Sequence, residues 1–421
     1  MSRGRVYLWT SHAAHPLGGL VRMACVPLPR LESDGRENPR LVGRFVRVRN
    51  AGAVRQPEPG GTGPRAVPIG DAQPNPAGDF LFEPQDGGER VDQGESLDAV
   101  VRQRHIEASH FGEVNAYFHL DRLAAYVHEL LDELGAPALP RVTAVVNAHH
   151  AAAGTDGVGD GARRGVTFQG GHYRLPSWCY DIAEPNAISP DGEIHLGPGR
   201  RLMEHGALAQ AAGRPYRHNA SHNAGTLYHE YGHHLNRHTA DFRANALRPA
   251  ERQSNRKIAT DEGTCDYWAA TMLGTPHIWS WHHRHDREVV HRRSLVSRKT
   301  MAEYDGGPDA DPHANGTIWA AALWDLRTRL AAAAPDGPRQ TDRLVLQTLL
   351  LIGQRFGDEP LPTVAGVCRA REGFAVALAA LLEAEDRLHA GRFREVILAV
   401  FAARGIQPET NAARAALALT R

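Results

Sequence analysis

The chain has 421 residues with 48 basic and 48 acidic side chains, enough for one large domain or two modest ones. Balanced charge excludes the basic footprint of a nucleic-acid binder and the acidic tail of a charged interaction segment. No stretch reaches the roughly 18 apolar residues of a membrane span, and the start carries no secretion-signal pattern. The four cysteines, Cys25, Cys179, Cys265 and Cys368, form no CxxC pair or dense framework. A reduced, cytoplasmic protein without nucleic-acid or membrane partners is expected.

In chain order, Arg5–Trp9 and Leu41–Val48 read as short strands. Residues 51–95 are rich in Gly, Pro, Asp and Gln and read as long loops or a poorly ordered connector. From Ser96 to Leu134 apolar residues recur at helical spacing (Val114, Phe118, Leu120, Leu123, Tyr126, Val127, Leu130), and Gly135-Ala-Pro ends the run. Val142–Asn147 is apolar and β-branched, which predicts a buried strand. Short strands are expected at Val166–Phe168 and Glu193–Leu196. From Thr226 onward helices dominate, including Ile318–Leu330, Arg343–Phe356, Gly373–His389 and Phe393–Ala403. A β-containing half followed by an α half, without internal repeats, predicts an α+β chain.

The chemical signal is His229-Glu230-Tyr231-Gly232-His233, an HExxH motif. On a helix, positions i and i+4 project from one face, so both imidazoles can reach one ion while the intervening Glu approaches water in the open coordination position. Leu227, Tyr228, Tyr231 and Leu235 mark the apolar side of that helix. Downstream lies Asp261-Glu262-Gly263-Thr264-Cys265-Asp266. Glu262 can complete a His₂Glu site, and Asp266 can accept a hydrogen bond from a ligand imidazole and fix its tautomer. The plainer reading of the same acids is a helix N-terminus favoured by its dipole.

The pair HEYGH and EGxxD resembles the gluzincin metallopeptidases, the thermolysin and fungalysin families in particular. Further stretches are similar in the same order: Asn186–Gly199 (NAISPDGEIHLGPG) to the edge strand that pairs with substrate backbone, Asp311-Pro-His313-Ala-Asn-Gly316 to the segment with the transition-state histidine, Gly316–Arg327 (GTIWAAALWDLR) to the helix after it, and Phe393–Gly405 (FREVILAVFAARG) to the closing helix. Arg293-Ser-Leu resembles a stretch whose arginine binds substrate carbonyls. The resemblance covers about residues 140–405. It implies a two-lobed thermolysin-like fold, with a β-containing N-terminal lobe, a mainly helical C-terminal lobe and the active-site helix between them. The expected division is a β-rich region with its connector at 1–110, a catalytic N-lobe at 111–238 and an α-helical C-lobe at 239–421.

Applied here, the resemblance implies one zinc per chain held by His229, His233 and Glu262, with Asp266 behind an imidazole. Glu230 is the implied general base and His313 the oxyanion donor, while Asn186, Ala187 and Arg293 hold a peptide substrate. The chain departs from these families in three ways. No signal or inhibitory propeptide is visible, the first ~110 residues match nothing nameable, and no tyrosine lies between His233 and Glu262 to assist an oxyanion. A gluzincin-like enzyme acting on a small amide, ester or modified peptide is therefore the second reading, and a protein retaining zinc only for structure the third.

Other clusters read more simply. His282-His283-Arg284-His285 with Asp286 reads as a solvated polar face, and His149-His150 as the end of a strand. The loop Asp156–Asp160 and the run Asp305, Asp309, Asp311 are calcium candidates that lack the EF-hand pattern. Cys265 reads as a small buried residue with no base adjacent in sequence.

Overall fold

A computed structural model describes residues 1–11, 19–32, 40–58, 60–61, 63–84, 97–148, 170–174, 188–197, 219–240, 259–278, 293–306, 310–357 and 373–408. The expected strand at Val166–Phe168, the pairs His149-His150 and Asn186-Ala187, the loop Asp156–Asp160 and the cluster His282–Asp286 lie outside the described residues. The architecture is mixed α and β, with small sheets and a helical remainder. Among the described residues no helix is long and apolar enough to cross a membrane. The chain forms two compact units, one of residues 1–125, 140–231 and 280–289, the other of 126–139, 232–279 and 290–421.

In the first unit, β1 (Arg3–Ser11) and β2 (Gly19–Pro27) form an antiparallel ladder. Strands β3 (Val46–Asn50), β6 (Val142–Val146), β8 (Glu193–Leu196) and β7 (Gly171–Arg174) form a sheet in that order, parallel except for antiparallel β7. The expected strand at Leu41–Val48 is broken. Val42 bridges back to Arg47, so a tight turn precedes β3. The expected edge strand is also displaced, because Glu193–Leu196 is paired on both sides and β7 lies at the edge of the described sheet.

Residues 51–95 were expected to be loops, yet β4 (Ala53–Gln56) and β5 (Arg65–Pro68) pair antiparallel within them. Beyond that pair, Phe80 exchanges backbone hydrogen bonds with Arg3 and Arg5, and Asp79 accepts from the Arg3 guanidinium. Gly and Pro mark where the chain turns, but they do not reveal that the segments between turns find partners.

Helix α1 (Ala99–Glu133) follows the expected span closely. Asp98 caps its start by accepting from the N–H groups of Val100 and Val101. At its end Ala136 N–H bonds Leu131 O and Gly135 N–H bonds Asp132 O, which satisfies the last carbonyls. Its middle is buried on nearly every side, which marks a helix inside a core. Two of the buried polar side chains there are paired across the unit. Asn115 accepts from Tyr7 N–H and donates to Ser221 O. His119 Nε2–H donates to Tyr7 O at 2.8 Å, so its Nδ1 accepts from Tyr228 OH at 2.7 Å.

The second unit is helical. It contains α3 (Ala259–Leu273), α4 (Pro312–Ala333), α5 (Gly337–Gly357), α6 (Phe374–His389) and α7 (Arg394–Ala402). Helix α3 packs on α4, α4 on α5 and α7, and α6 on α5 and α7. A buried carboxylate ties these helices together. Asp342 of α5 accepts from Tyr267 OH at 2.5 Å, Tyr126 OH at 2.6 Å and Arg327 Nη1 at 2.7 Å. Helices α3 and α4 meet at glycines, since a Cβ on Gly263 would lie 2.4 Å from Gly316 O.

Two stability predictions follow from these networks. Asp342→Ala leaves the Arg327 charge without its buried partner and is expected to cost on the order of 3–5 kcal/mol, read from urea midpoints. Burial pushes His119 down to about 3 from its usual 6.5, so between those values the unfolded chain takes up a proton that the folded chain refuses. Stability is then full above pH 6.5 and falls, as pH drops towards 3, by about 1.4 kcal/mol per pH unit. His119→Gln is expected to flatten that acid limb in denaturation at stepped pH, and an unchanged slope would contradict the assignment.

Candidate metal centre

The HExxH segment lies on α2 (Ala224–Thr239), as its spacing requires. Asn223 caps the helix through Oδ1, accepting from Gly225 N–H at 2.9 Å. A short 3₁₀ turn (Ala220–His222) leads into it and is anchored by His222 Nε2 on Ala108 O. Leu227, Tyr228, Tyr231 and Leu235 are buried as expected, and His229, Glu230 and His233 are buried with them.

Two close approaches bring the remaining donors to this helix. A Cβ on Gly232 would lie 2.8 Å from Cys265 Cα, so α3 runs directly against α2 there. The Gly263–Gly316 contact then holds the start of α4 against the start of α3. As a result His233 Nε2 lies 3.7 Å from Glu262 Oε1, and His313 Nε2 lies 3.1 Å from Glu262 Oε2. Glu262 has no exposed surface.

Two overlapping groups can hold a metal ion, with all donor atoms within 4.8 Å of one another: His229, His233 and Cys265 in one, and His229, Glu262 and His313 in the other. The expected set His229, His233 and Glu262 is not one of these groups: His229 belongs to both, but His233 falls in the first and Glu262 in the second, with His233 Nε2 3.7 Å from Glu262 Oε1. No ion is part of this structure, but the residues fit one. Two imidazoles and a carboxylate are ordinary zinc donors. Glu230 Oε2 is buried and has no hydrogen-bond partner among the described residues.

The groups behind these donors differ from expectation in part. His233 Nδ1 faces Asp261 Oδ2 at 3.1 Å, and Asn236 Nδ2 donates to Asp261 Oδ1 at 2.6 Å. Asp261 is thus a carboxylate behind a candidate ligand imidazole, a role not expected from the sequence. Its only signal was its place beside Glu262. Asp266, expected in that role, accepts a bidentate contact from Arg293 at 2.6 and 3.2 Å. Burial works against the Arg293 charge, but Asp266 and Glu262 outweigh it and hold the guanidinium above its ordinary range. Cys265 is buried as expected, but His233 Nδ1 lies 3.3 Å from its Sγ, a neighbour that sequence adjacency did not disclose.

His313 stands at the N-terminus of α4, where Asp311 caps the helix and also accepts from His313 Nδ1 at 2.9 Å. The hydrogen bonds from His313, ahead of the opposing cost of burial, hold Asp311 down to about 2. Asp311 is therefore engaged by His313. Asp309, its companion in the calcium reading, lies outside the described residues.

Strand β7 passes close to the motif. A Cβ on Gly171 would lie 2.4 Å from Glu230 Cγ and 2.8 Å from its Oε1. No protein-family model matches the sequence, and no curated protein matches it. Gly171→Ala is expected to displace the Glu230 carboxylate. Metal uptake by the purified protein should stay at the wild-type level, and a loss of uptake would show that the substitution disturbs the whole helix.

Proposed function

We propose that this protein is a zinc-dependent hydrolase of the gluzincin kind, with a thermolysin-like catalytic fold and peptide bonds as its substrate class. The observation that supports the reading is that His229 lies in one donor group with His233 and Cys265 and in another with Glu262 and His313, beside a buried Glu230 carboxylate oxygen. In this reading His229, His233 and Glu262 hold the ion. Once bound, zinc supplies a Lewis acid for the scissile carbonyl and lowers the pKa of water.

The protein's own groups do the rest. Glu230 takes a proton at Oε2 as water attacks, then delivers it to the leaving amine. Burial of Glu230 excludes competing water, and Gly171 limits where its carboxylate can move. Asp261 and Asn236 orient His233 by holding Nδ1, leaving Nε2 towards Glu262. Arg293, held by Asp266 through two nitrogens, is the residue offered to a substrate carbonyl in this reading. Asn186 and Ala187 complete the substrate set in this proposal.

A small amide, ester or modified peptide is the second substrate reading. It is favoured by the absence of any tyrosine between His233 and Glu262 and by the engagement of His313 with Glu262.

Wild-type protein is expected to carry one zinc per chain and to cleave members of a broad peptide library. Glu230→Gln should keep the zinc and lose about 10²–10⁴-fold in turnover, the worth of a general base. Bound zinc with no cleavage by either protein would move the substrate to small amides and esters. Protein that takes up no metal would sink the proposal. Cobalt-loaded protein separates the two donor groups, since a thiolate charge-transfer band abolished by Cys265→Ser would place the ion with the cysteine.

A further inference from the structure

Tyr7 of β1 turns both of its backbone groups towards α1. Its N–H donates to Asn115 Oδ1 at 2.9 Å, and its carbonyl accepts from His119 Nε2–H at 2.8 Å. Asn115 and His119 lie one turn apart on one face of α1. Each passes the connection on. Asn115 Nδ2 donates to Ser221 O at 2.8 Å, in the turn that leads into α2. His119 Nδ1 accepts from Tyr228 OH at 2.7 Å, on α2 itself. One residue of the N-terminal strand is thus joined twice, through α1, to the segment that carries His229 and Glu230.

Burial alone does not require such a pattern. Apolar packing is non-directional and leaves a helix free to slide or turn against its neighbour, whereas hydrogen bonds of this length are directional. Asn115, His119, Ser221 and Tyr228 are all buried, where a low local dielectric strengthens their bonds. A carbonyl only accepts, so Tyr7 O fixes the His119 tautomer and with it the acceptor that Tyr228 meets. The packing around the bonds is close. Gly112 leaves no room for a Cβ beside Ser221 Oγ, and Phe111 meets Tyr7 and His222 edge to face, with ring centroids 4.9 and 5.1 Å away. Contacts at Ser221, before the helix, and at Tyr228, inside it, fix both where α2 starts and how it is rotated. An atom at the roughly 6 Å outer radius of a helix moves by about 1 Å for a rotation of about 10°, and a misplacement of about 1 Å can cost a reacting group about 100-fold.

Resting on the zinc reading above, we propose that Asn115 and His119 are positioning residues, through which β1 sets the rotation at which α2 presents His229 and Glu230. The N-terminal strand is then a working part of the hydrolase. Tyr228, immediately before His229, is the point where the rotation is held, and the Ser221 turn is the point where the helix is seated.

The test uses full-length protein with zinc or cobalt alone, without a substrate. Chelator competition, the cobalt visible spectrum and the metal-free Tm are measured for wild type, Tyr228→Phe, His119→Gln, Asn115→Asp and, as a control, Asn50→Ala. Asn50 bonds Gly52, Glu113 and Asn147 in the same unit and none of the groups named above. Tyr228→Phe removes a single oxygen, so it keeps the fold. All three positioning variants are expected to bind zinc at least about tenfold more weakly, the low end for an outer partner of a metal ligand, and to shift the cobalt bands. Tyr228→Phe and His119→Gln interrupt one line, so their double variant should lose little more than either alone, while adding Asn115→Asp to Tyr228→Phe should deepen the loss. Asn50→Ala should lower Tm and leave affinity and spectrum as in wild type. Wild-type affinity and spectrum in Tyr228→Phe and Asn115→Asp, or an equal loss in Asn50→Ala, would overturn the positioning proposal and leave the zinc reading standing. Wild-type protein that takes up no zinc would remove the zinc reading, and this proposal with it.

Discussion

Glu262 is a carboxylate without exposed surface, and a charge so placed must be compensated at short range or it is expelled. Much of the second unit can be understood as meeting that demand. Gly263, next to Glu262, lets α4 come close enough for His313 to face one carboxylate oxygen. Gly232, next to His233, lets α3 come close enough to α2 for His233 to face the other. Side chains at either contact would push the helices apart and leave the charge facing apolar walls. Hydrophobic burial drives these helices together, but the absence of two or three Cβ atoms decides how closely they can meet.

The same logic extends outward through pairs of acids and their partners. Asp261 backs His233, Asp311 backs His313, and Arg293 covers Asp266. Acidic residues at the starts of α3 and α4 also suit the helix dipoles, so one set of side chains serves secondary structure and electrostatics together. Asp342 is a separate solution to the same problem, compensated by an arginine and two phenols that brace helices rather than by imidazoles.

Features set by neighbouring residues were legible in the sequence. The span of α1, the strands at Val142 and Glu193 and the HExxH helix all follow from short-range pattern and from capping chemistry. Features set by distant approach were not. The β4–β5 ladder sits in a Gly- and Pro-rich stretch whose composition signals turns only. Cys265 has no base nearby in sequence because its neighbour is on another helix, and Asp261 was overshadowed by the residue beside it. His313 was found, but its distance from Glu262 depends on Gly263 meeting Gly316, which no local pattern records.

The buried bonds around α1 also bear on how the chain assembles as it is made. Tyr7, His119 and Tyr228 join in a line, the first pair 112 positions apart in the sequence and the second 109. A ribosome adding about 5–20 residues per second delivers them several seconds apart. The hairpin strand and α1 can therefore meet while the HExxH helix is still unmade, and α2 then arrives at a surface where the His119 acceptor is already fixed in its tautomer. Synthesis order thus allows bonding in the same order, with the Tyr7 strand and α1 as the surface on which the HExxH helix is laid.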